Sequence, residues 1–296
     1  TYHSTLTSAF TEFGEELFGY SVSVNGARLA VGSPLDDDAA TDAGNAFIYD
    51  YDGTNWNFTE KLVPSDGGNS FSFGFDLELD QDQVIVGAYG GNPNLLSAGA
   101  AYIYQFDGSN WNEQQIIFSN DATADDWFGY KVGIDGETAI MSAINDDDNG
   151  TSSGSVYVYR WDQTEWIQEF KVISNDGNNG DEYGNAIAID DLDFIVGAYK
   201  RDISGSNSGK GYAYSLCSYK PEFDLCMATV DSTSQGHWLL FETPRATLVD
   251  SFYVYADYGA GFQRIEGLDY GETPQVYNGG IDFINDTIQY YLASIN

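Results

Sequence analysis

Apolar and polar positions alternate with a period of two along Tyr20-Ser21-Val22-Ser23-Val24, the pattern of a strand with one buried face. Asn25-Gly26 follows, a pair that favours the positive φ angles of a two-residue hairpin turn. The next run, Leu29-Ala30-Val31-Gly32, is apolar throughout, which predicts a strand buried on both faces. A polar loop of about ten residues leads to Ala46-Phe47-Ile48-Tyr49-Asp50-Tyr51. A second turn, Asp52-Gly53, then leads to Trp56 and a fourth strand ending at Leu62. Nothing carries a sustained 3.6-residue period, so essentially no helix is expected.

This text is written four times. Phe18-Gly19, Phe73-Gly74, Phe128-Gly129 and Tyr183-Gly184 are 55 residues apart, as are Gly44, Gly99, Gly154 and Gly209. Tyr49, Tyr104, Tyr159 and Tyr214 keep the same interval, and so do Trp56, Trp111 and Trp166. A four-stranded unit of this length in tandem predicts an all-β fold, a β-propeller of four 55-residue blades. The glycine after each Phe or Tyr is expected where the backbone enters a crowded inner strand. Repeat four, Tyr183 to Leu216, shows only three strands. In the 55-residue phase, Thr1 to Thr7 falls at the missing fourth, so an N-terminal strand is expected to close the last blade, against the alternative of a piece of a larger propeller cut at this phase.

The pattern stops at Cys217, which dictates a propeller over 1–216, a cysteine-bounded junction over 217–226 and a second domain over 227–296. There, Met227 to Val230, His237 to Glu242, Asp250 to Ala256, Phe262 to Gly267 and Gln289 to Ile295 read as strands between Gly, Pro and Asp turns. The text resembles a fibronectin type III-like or immunoglobulin-like β-sandwich, with Asp250 to Tyr255 and Tyr290 to Ala293 carrying the likeness. With about six strands and an end at Asn296, a longer parent protein is expected.

Charge narrows the function. Against 46 Asp and Glu stand 11 Lys and Arg in 296 residues, a net charge of −35. Such a surface repels phosphate backbones and anionic bilayers, so neither nucleic acid nor direct membrane insertion is expected. Aromatics at 16% and a hydrophobic fraction of 42% exclude the composition of disorder. Two histidines, His3 and His237, and two cysteines give no zinc spacing and no evident nucleophilic triad.

Phe18-Gly19-Tyr20 followed by Val31-Gly32-Ser33-Pro34 resembles the FG-GAP repeat, the blade of integrin α-subunit propellers. Val86-Gly87-Ala88-Tyr89 and Val196-Gly197-Ala198-Tyr199 are variants. The leader Ser174-Asn175-Asp176-Gly177 and the Asp-Gly-x-x-Trp turn look like a subfamily common in secreted and surface proteins of Bacteroidetes-type bacteria. Two departures stand out. The family's Asp-x-Asp-x-Asp-Gly calcium loop is replaced by two-residue turns, including Asp80-Gln81 and Asp190-Asp191, and its usual seven blades by four. The resemblance implies an exported protein, and in an oxidising compartment Cys217 and Cys226 are expected to form a disulfide.

Two loops concentrate carboxylates: Asp36-Asp37-Asp38 with Asp42, and Asn145-Asp146-Asp147-Asp148-Asn149. Asp36, Asp38, Asp42, Asp146 and Asp148 are hard-oxygen ligands of the kind Ca²⁺ takes, against the alternative of solvated acidic loops. The leader acids Asp66, Asp121, Asp125, Asp176 and Asp181 form a second candidate set. The phased tryptophans are expected to pin outer strands rather than to form a sugar platform, while Trp127 and Trp161 break the phase and better suit a binding surface. These features imply a non-enzymatic, secreted or cell-surface recognition or adhesion protein that binds protein or glycan through propeller loops. A polysaccharide-acting propeller enzyme and a structural subunit of a surface appendage are the alternatives.

Overall fold

The computed structural model describes residues 5–6, 16–202 and 205–216 with their side chains, and the backbone of six further strands after residue 226. The chain divides into two compact units, one of residues 1–191 with 195–212 and one of 192–194 with 213–296, so the division falls within the fourth sheet.

Repeat one folds as β1 (Val22–Asn25), β2 (Arg28–Ser33), β3 (Asn45–Tyr51) and β4 (Trp56–Leu62), an antiparallel sheet in chain order. Repeat two gives β5 (Asp76–Asp80), β6 (Gln83–Ala88), β7 (Ala100–Phe106) and β8 (Trp111–Ile117). Repeat three gives β9 (Phe128–Asp135), β10 (Thr138–Ala143), β11 (Ser155–Trp161) and β12 (Trp166–Ile173). Among the described residues, repeat four has three strands: β13 (Ala186–Asp190), β14 (Asp193–Ala198) and β15 (Lys210–Ser215).

Turn chemistry sets these boundaries. Gly26 and Gly136 take φ of 60° and 57° in the first hairpin, and Gln81 and Asp191 bear the same left-handed geometry without glycine's freedom. Before each phased tryptophan an aspartate accepts the next backbone N–H groups: Asp52 from Thr54 and Asn55, Asp107 from Ser109 and Asn110, Asp162 from Thr164 and Glu165. One bulge recurs in every third-to-fourth strand pairing, at Ile48/Tyr49, Ile103/Tyr104 and Val158/Tyr159.

Successive sheets pack face to face through equivalent residues. Ala30, Ala46, Ile48 and Leu62 of the first sheet form one core with Phe73, Leu77, Val86 and Tyr102 of the second. Ile85, Ala101, Ile103 and Ile117 repeat this against Phe128, Val132, Met141 and Tyr157. The Phe of each Phe-Gly pair packs edge-on against a third-strand aromatic of its own repeat: Phe18 on Phe47 at 5.5 Å, Phe73 on Tyr102 at 5.1 Å and Phe128 on Tyr157 at 5.2 Å. The same Phe or Tyr donates its backbone N–H across the junction: Phe73 to Ala43, Phe128 to Ala98 and Tyr183 to Ser153, each at 2.9 Å.

The acidic inner strands have a structural role. In repeats two to four the first strand or the turn after it leaves backbone N–H groups on a free edge, and side chains of the preceding sheet accept them. Asp76 accepts from Val132, Glu78 from Ile134, Asp80 from Gly136 and Asp135 from Asp191, at 2.6–3.0 Å. Ser23 does the same for Leu79 at 3.0 Å.

The expected closing strand, Thr1 to Thr7, lies outside the described residues except for Thr5 and Leu6. Leu6 packs with Phe18 on the Val31, Phe47 and Tyr49 cluster of the first sheet, the face that in later sheets receives a neighbour. In the second unit, β16 (Met227–Val230), β17 (Gly236–Phe241) and β20 (Gln275–Gly280) form one sheet. The other is formed by β18 (Ser251–Asp257), β19 (Phe262–Asp269) and β21 (Gln289–Ile295). Cys217 and Cys226 lie outside the described residues.

Candidate functional site

The acidic loops are braced from within. The Asp36 carboxylate accepts the Asp38 N–H and Asp37 that of Asp42; Asp146 accepts from Asp148 and Asp147 from Ser152. Each loop also receives an ammonium from the fourth strand. Lys171 Nζ lies 2.7 Å from Asp121, 2.6 Å from Asp146 and 2.6 Å from Asp148. The Tyr157 hydroxyl joins Asp121 and Asp146 at 2.9 and 2.8 Å. Lys61, at the equivalent position of repeat one, pairs with Asp38 and approaches Asp36 at 3.8 Å. Asp42 instead takes a left-handed φ of 52° within its loop.

In repeat four the polarity is exchanged. Arg201 stands where repeat three has Asp146, and it pairs with the leader acids Asp176 and Asp181 at 3.2 and 3.3 Å, with Lys210 also on Asp176. Burial pushes Asp176 up, but hydrogen bonds from Lys210, Tyr212 and Ser174 outweigh it and hold the carboxyl at about 2. Burial likewise opposes the charge on Lys171, yet its three carboxylate partners hold the ammonium well above its ordinary range.

Asp121, Asp146 and Asp148 converge closely enough to ligate a cation, with ligand atoms within 4.8 Å of one another. Ca²⁺, however, takes six to eight oxygens and needs their negative charge uncompensated. Here a lysine ammonium lies among them, so this donor set does not fit a resident calcium ion.

A different constellation gathers where the chain enters the inner strands. The residue after each Phe-Gly or Tyr-Gly pair is Tyr20, Phe75, Tyr130 and Asn185. Phase brings these together: Tyr20 lies 4.9 Å from Phe75, and Phe75 lies 5.0 Å from Tyr130, between ring centroids. Tyr89, just after the second strand, packs on Phe75 at 4.6 Å and on Trp127 at 5.2 Å. Trp127 lies nearly parallel to Tyr130, with 16° between planes. Tyr20 is 50% exposed, and Phe75, Tyr89, Trp127 and Tyr130 are half-buried.

The rim of this floor is polar and its charges are paired. Lys131 bonds Asp76 at 3.3 Å and lies over the Phe75 and Tyr130 rings, and Lys200 pairs with Glu182. Asn185 takes the place of the aromatic in repeat four. Burial, then the neighbouring Tyr89 and Asp76, raise the Tyr20 hydroxyl's pKa; burial and Tyr20, Glu182 and Tyr199 raise that of Tyr130. Both phenols therefore remain O–H donors at neutral pH.

The FG-GAP repeat model matches residues 14–49, 56–104, 111–159 and 166–214. The chain belongs to the FG-GAP repeat family. Repeats of this family point to a surface or adhesion-type β-propeller protein. A search of curated proteins finds no match.

Within these FG-GAP repeats the phased tryptophans are structural, as their spacing suggests: Trp56, Trp111 and Trp166 pack on Tyr51, Phe106 and Trp161 of the third strands. Trp161 thus belongs to this packing, whereas Trp127 belongs to the aromatic floor. Sequence reasoning missed the rest of the floor. Its signal was the aromatic at the same phase in three repeats, immediately after the Phe-Gly pair that drew attention to itself.

Proposed function

We propose that this FG-GAP protein is a non-enzymatic recognition or adhesion protein, secreted or held at the cell surface, that binds protein or glycan. The aromatic floor at Tyr20, Phe75, Tyr89, Trp127 and Tyr130 carries this reading. Partly exposed aromatic clusters with a satisfied polar rim are the chemistry of interaction surfaces. In this reading the four sheets form a propeller completed by the N-terminal segment, and the seating of Leu6 on the first sheet's outward face supports it. The second unit serves as a fibronectin- or immunoglobulin-like spacer. Its first, second and fifth strands share one sheet and its third, fourth and sixth the other, a division that suits a sandwich. A disulfide between Cys217 and Cys226 ties the junction in the exported protein.

The test is adhesion. Beads carrying the purified chain are expected to adhere to surfaces coated with mucin or gelatin more strongly than beads carrying an unrelated acidic protein. Tyr20→Ala should weaken this adhesion. Equal adhesion by both bead types would overturn the reading.

A further inference from the structure

The aromatic floor has a chemistry more specific than a general adhesive patch. Three features define what it accepts. The first is the surface itself: contiguous rings, with Trp127 and Tyr130 nearly parallel and Tyr20 half open to solvent. Such a surface meets the C–H face of a flat, rigid ligand. The second is the donor set. Tyr20 and Tyr130 flank Phe75 and contribute phenols, Tyr89 adds a third between Phe75 and Trp127, and Asn185 brings an amide at the same phase in repeat four. These are groups that hydrogen-bond hydroxyls in either direction.

The third is charge. Each cation at the rim already has an anion: Lys131 with Asp76, and Lys200 with Glu182. The cation–π position over Phe75 and Tyr130 is occupied by Lys131, so an incoming ammonium finds it filled. An anion would meet a chain of net charge −35 with the floor's own lysines already paired. A ligand that is flat, rich in hydroxyls and uncharged suits all three conditions.

We propose that the floor formed by Tyr20, Phe75, Tyr89, Trp127 and Tyr130 binds the pyranose rings of a neutral polysaccharide, stacking them on the aromatics and hydrogen-bonding their hydroxyls through the tyrosines and Asn185. This deepens the recognition reading above and rests on it. Neutral sugars gain little from long-range attraction, so individual rings bind weakly and affinity grows with chain length as several rings are engaged.

The experiment is calorimetry, with intrinsic tryptophan fluorescence in parallel, using neutral hexasaccharides of β-1,4-glucose, β-1,3-glucose, β-1,4-xylose, β-1,4-mannose and N-acetylglucosamine. A hexamer of mannuronate serves as the anionic probe. At least one neutral hexamer should bind, and tighter than its trimer. Trp127→Ala and Tyr20→Ala should each weaken it at least tenfold. Tyr20 is half open to solvent, so that variant keeps the test valid if Trp127→Ala fails to fold. Trp161→Phe, outside the floor, should leave binding unchanged. Binding by none of the neutral hexamers, binding of mannuronate alone, or affinity unchanged by both floor variants would overturn the proposal. If the neutral sugars fail while beads still adhere to gelatin in a Tyr20-dependent way, recognition stands and the glycan assignment falls. If adhesion also fails, both fall.

Discussion

Gly99 and Gly209 occupy the same place in their repeats, with φ of +92° and +76°, yet their surroundings differ completely. A Cβ on Gly99 would sit 2.0 Å from the backbone oxygen of Phe128 in the next repeat. Gly44 and Gly154 are equally confined, at 2.2 Å from Phe73 and 2.1 Å from Tyr183. On Gly209 the nearest atom among the described residues would be 3.5 Å away, in Tyr199 of the same repeat. The first repeat shows the mirror situation. Gly74 and Gly129 would press on Asn45 and Ala100 of the repeat before, at 2.5 and 2.1 Å, whereas among the described residues Gly19 would meet nothing within 4 Å. Side chains follow suit: Leu77 and Leu79 are 5% and 4% exposed, while their counterparts Val22 and Val24 are 69% and 65% exposed. The same residue type at the same phase is therefore under different constraint depending on whether a neighbouring sheet lies against it. Conformation, as φ, is a property of the repeat; steric demand is a property of the junction.

The strongest test of that distinction is a pair of glycine substitutions. Gly99→Ala should cost about 3 kcal/mol or more, because backbone must move in two repeats. Gly209→Ala should cost about 1 kcal/mol, the left-handed penalty alone. Equal losses in denaturant midpoint would remove the junction from the explanation. Next comes Leu77→Ala, expected to lose about 3 kcal/mol through the cavity it leaves. If the ring closes as proposed, the face of Val22, 69% exposed among the described residues, is covered and Val22→Ala should also destabilise, by about 1 kcal/mol. A change of no more than about 0.5 kcal/mol would show that this face stays open and would remove ring closure.

A smaller effect separates the two lysine-centred loops. Lys171→Met should destabilise by about 2 kcal/mol, below the usual cost of breaking a buried pair because Asp148 is solvent-facing. Lys61→Met, which gives up Asp38 and the 3.8 Å approach to Asp36, is the matching variant at the equivalent position of repeat one. Millimolar Ca²⁺ should raise the melting temperature of Lys171→Met and leave that of the parent chain nearly unchanged. A chelator-sensitive parent would contradict the fit argument for this site.

The pH profile gives the smallest shift and has two limbs. Burial raises Asp76 and Glu78, so their desolvation cost is present at neutral pH and disappears as they take up protons. Acidification from pH 7 toward 5 should therefore be neutral or stabilising. Asp176, held at about 2, contributes stability above the ordinary aspartate range that is lost as pH falls from about 4 toward 2. Thermal melts across this range should show a shallow maximum, and Asp76→Asn should flatten its upper limb while preserving an acceptor for the Val132 N–H. A monotonic fall from pH 7 would show that paired carboxylates dominate throughout.

Much of this architecture was legible. Turn pairs, strand alternation and the invariant 55-residue phase predicted the four sheets and their strand order, because these depend on local chemistry repeated four times. The acidic loops were legible as clusters but not as closed systems. Their lysines stand in another strand, 25 residues after Asp146 in the case of Lys171, and pairing over that separation needs the fold. The carboxylates of Asp76, Glu78 and Asp80 were hidden among 46 acids, since nothing local distinguishes a side chain that caps the next sheet's N–H groups from one that faces water. The floor escaped for the opposite reason: its residues are conspicuous, but aromatics in strands are ordinarily core.

The uniform junctions also bear on how such a chain can change over generations. Because equivalent positions, apolar in both described junctions, meet at each of them, an in-frame duplication or loss of one 55-residue unit creates no new kind of contact. Blade number can then drift by recombination between equivalent segments without each intermediate having to invent an interface. It would also lengthen or shorten the row of aromatics after each Phe-Gly pair, coupling the reach of the binding surface to the copy number of the gene segment.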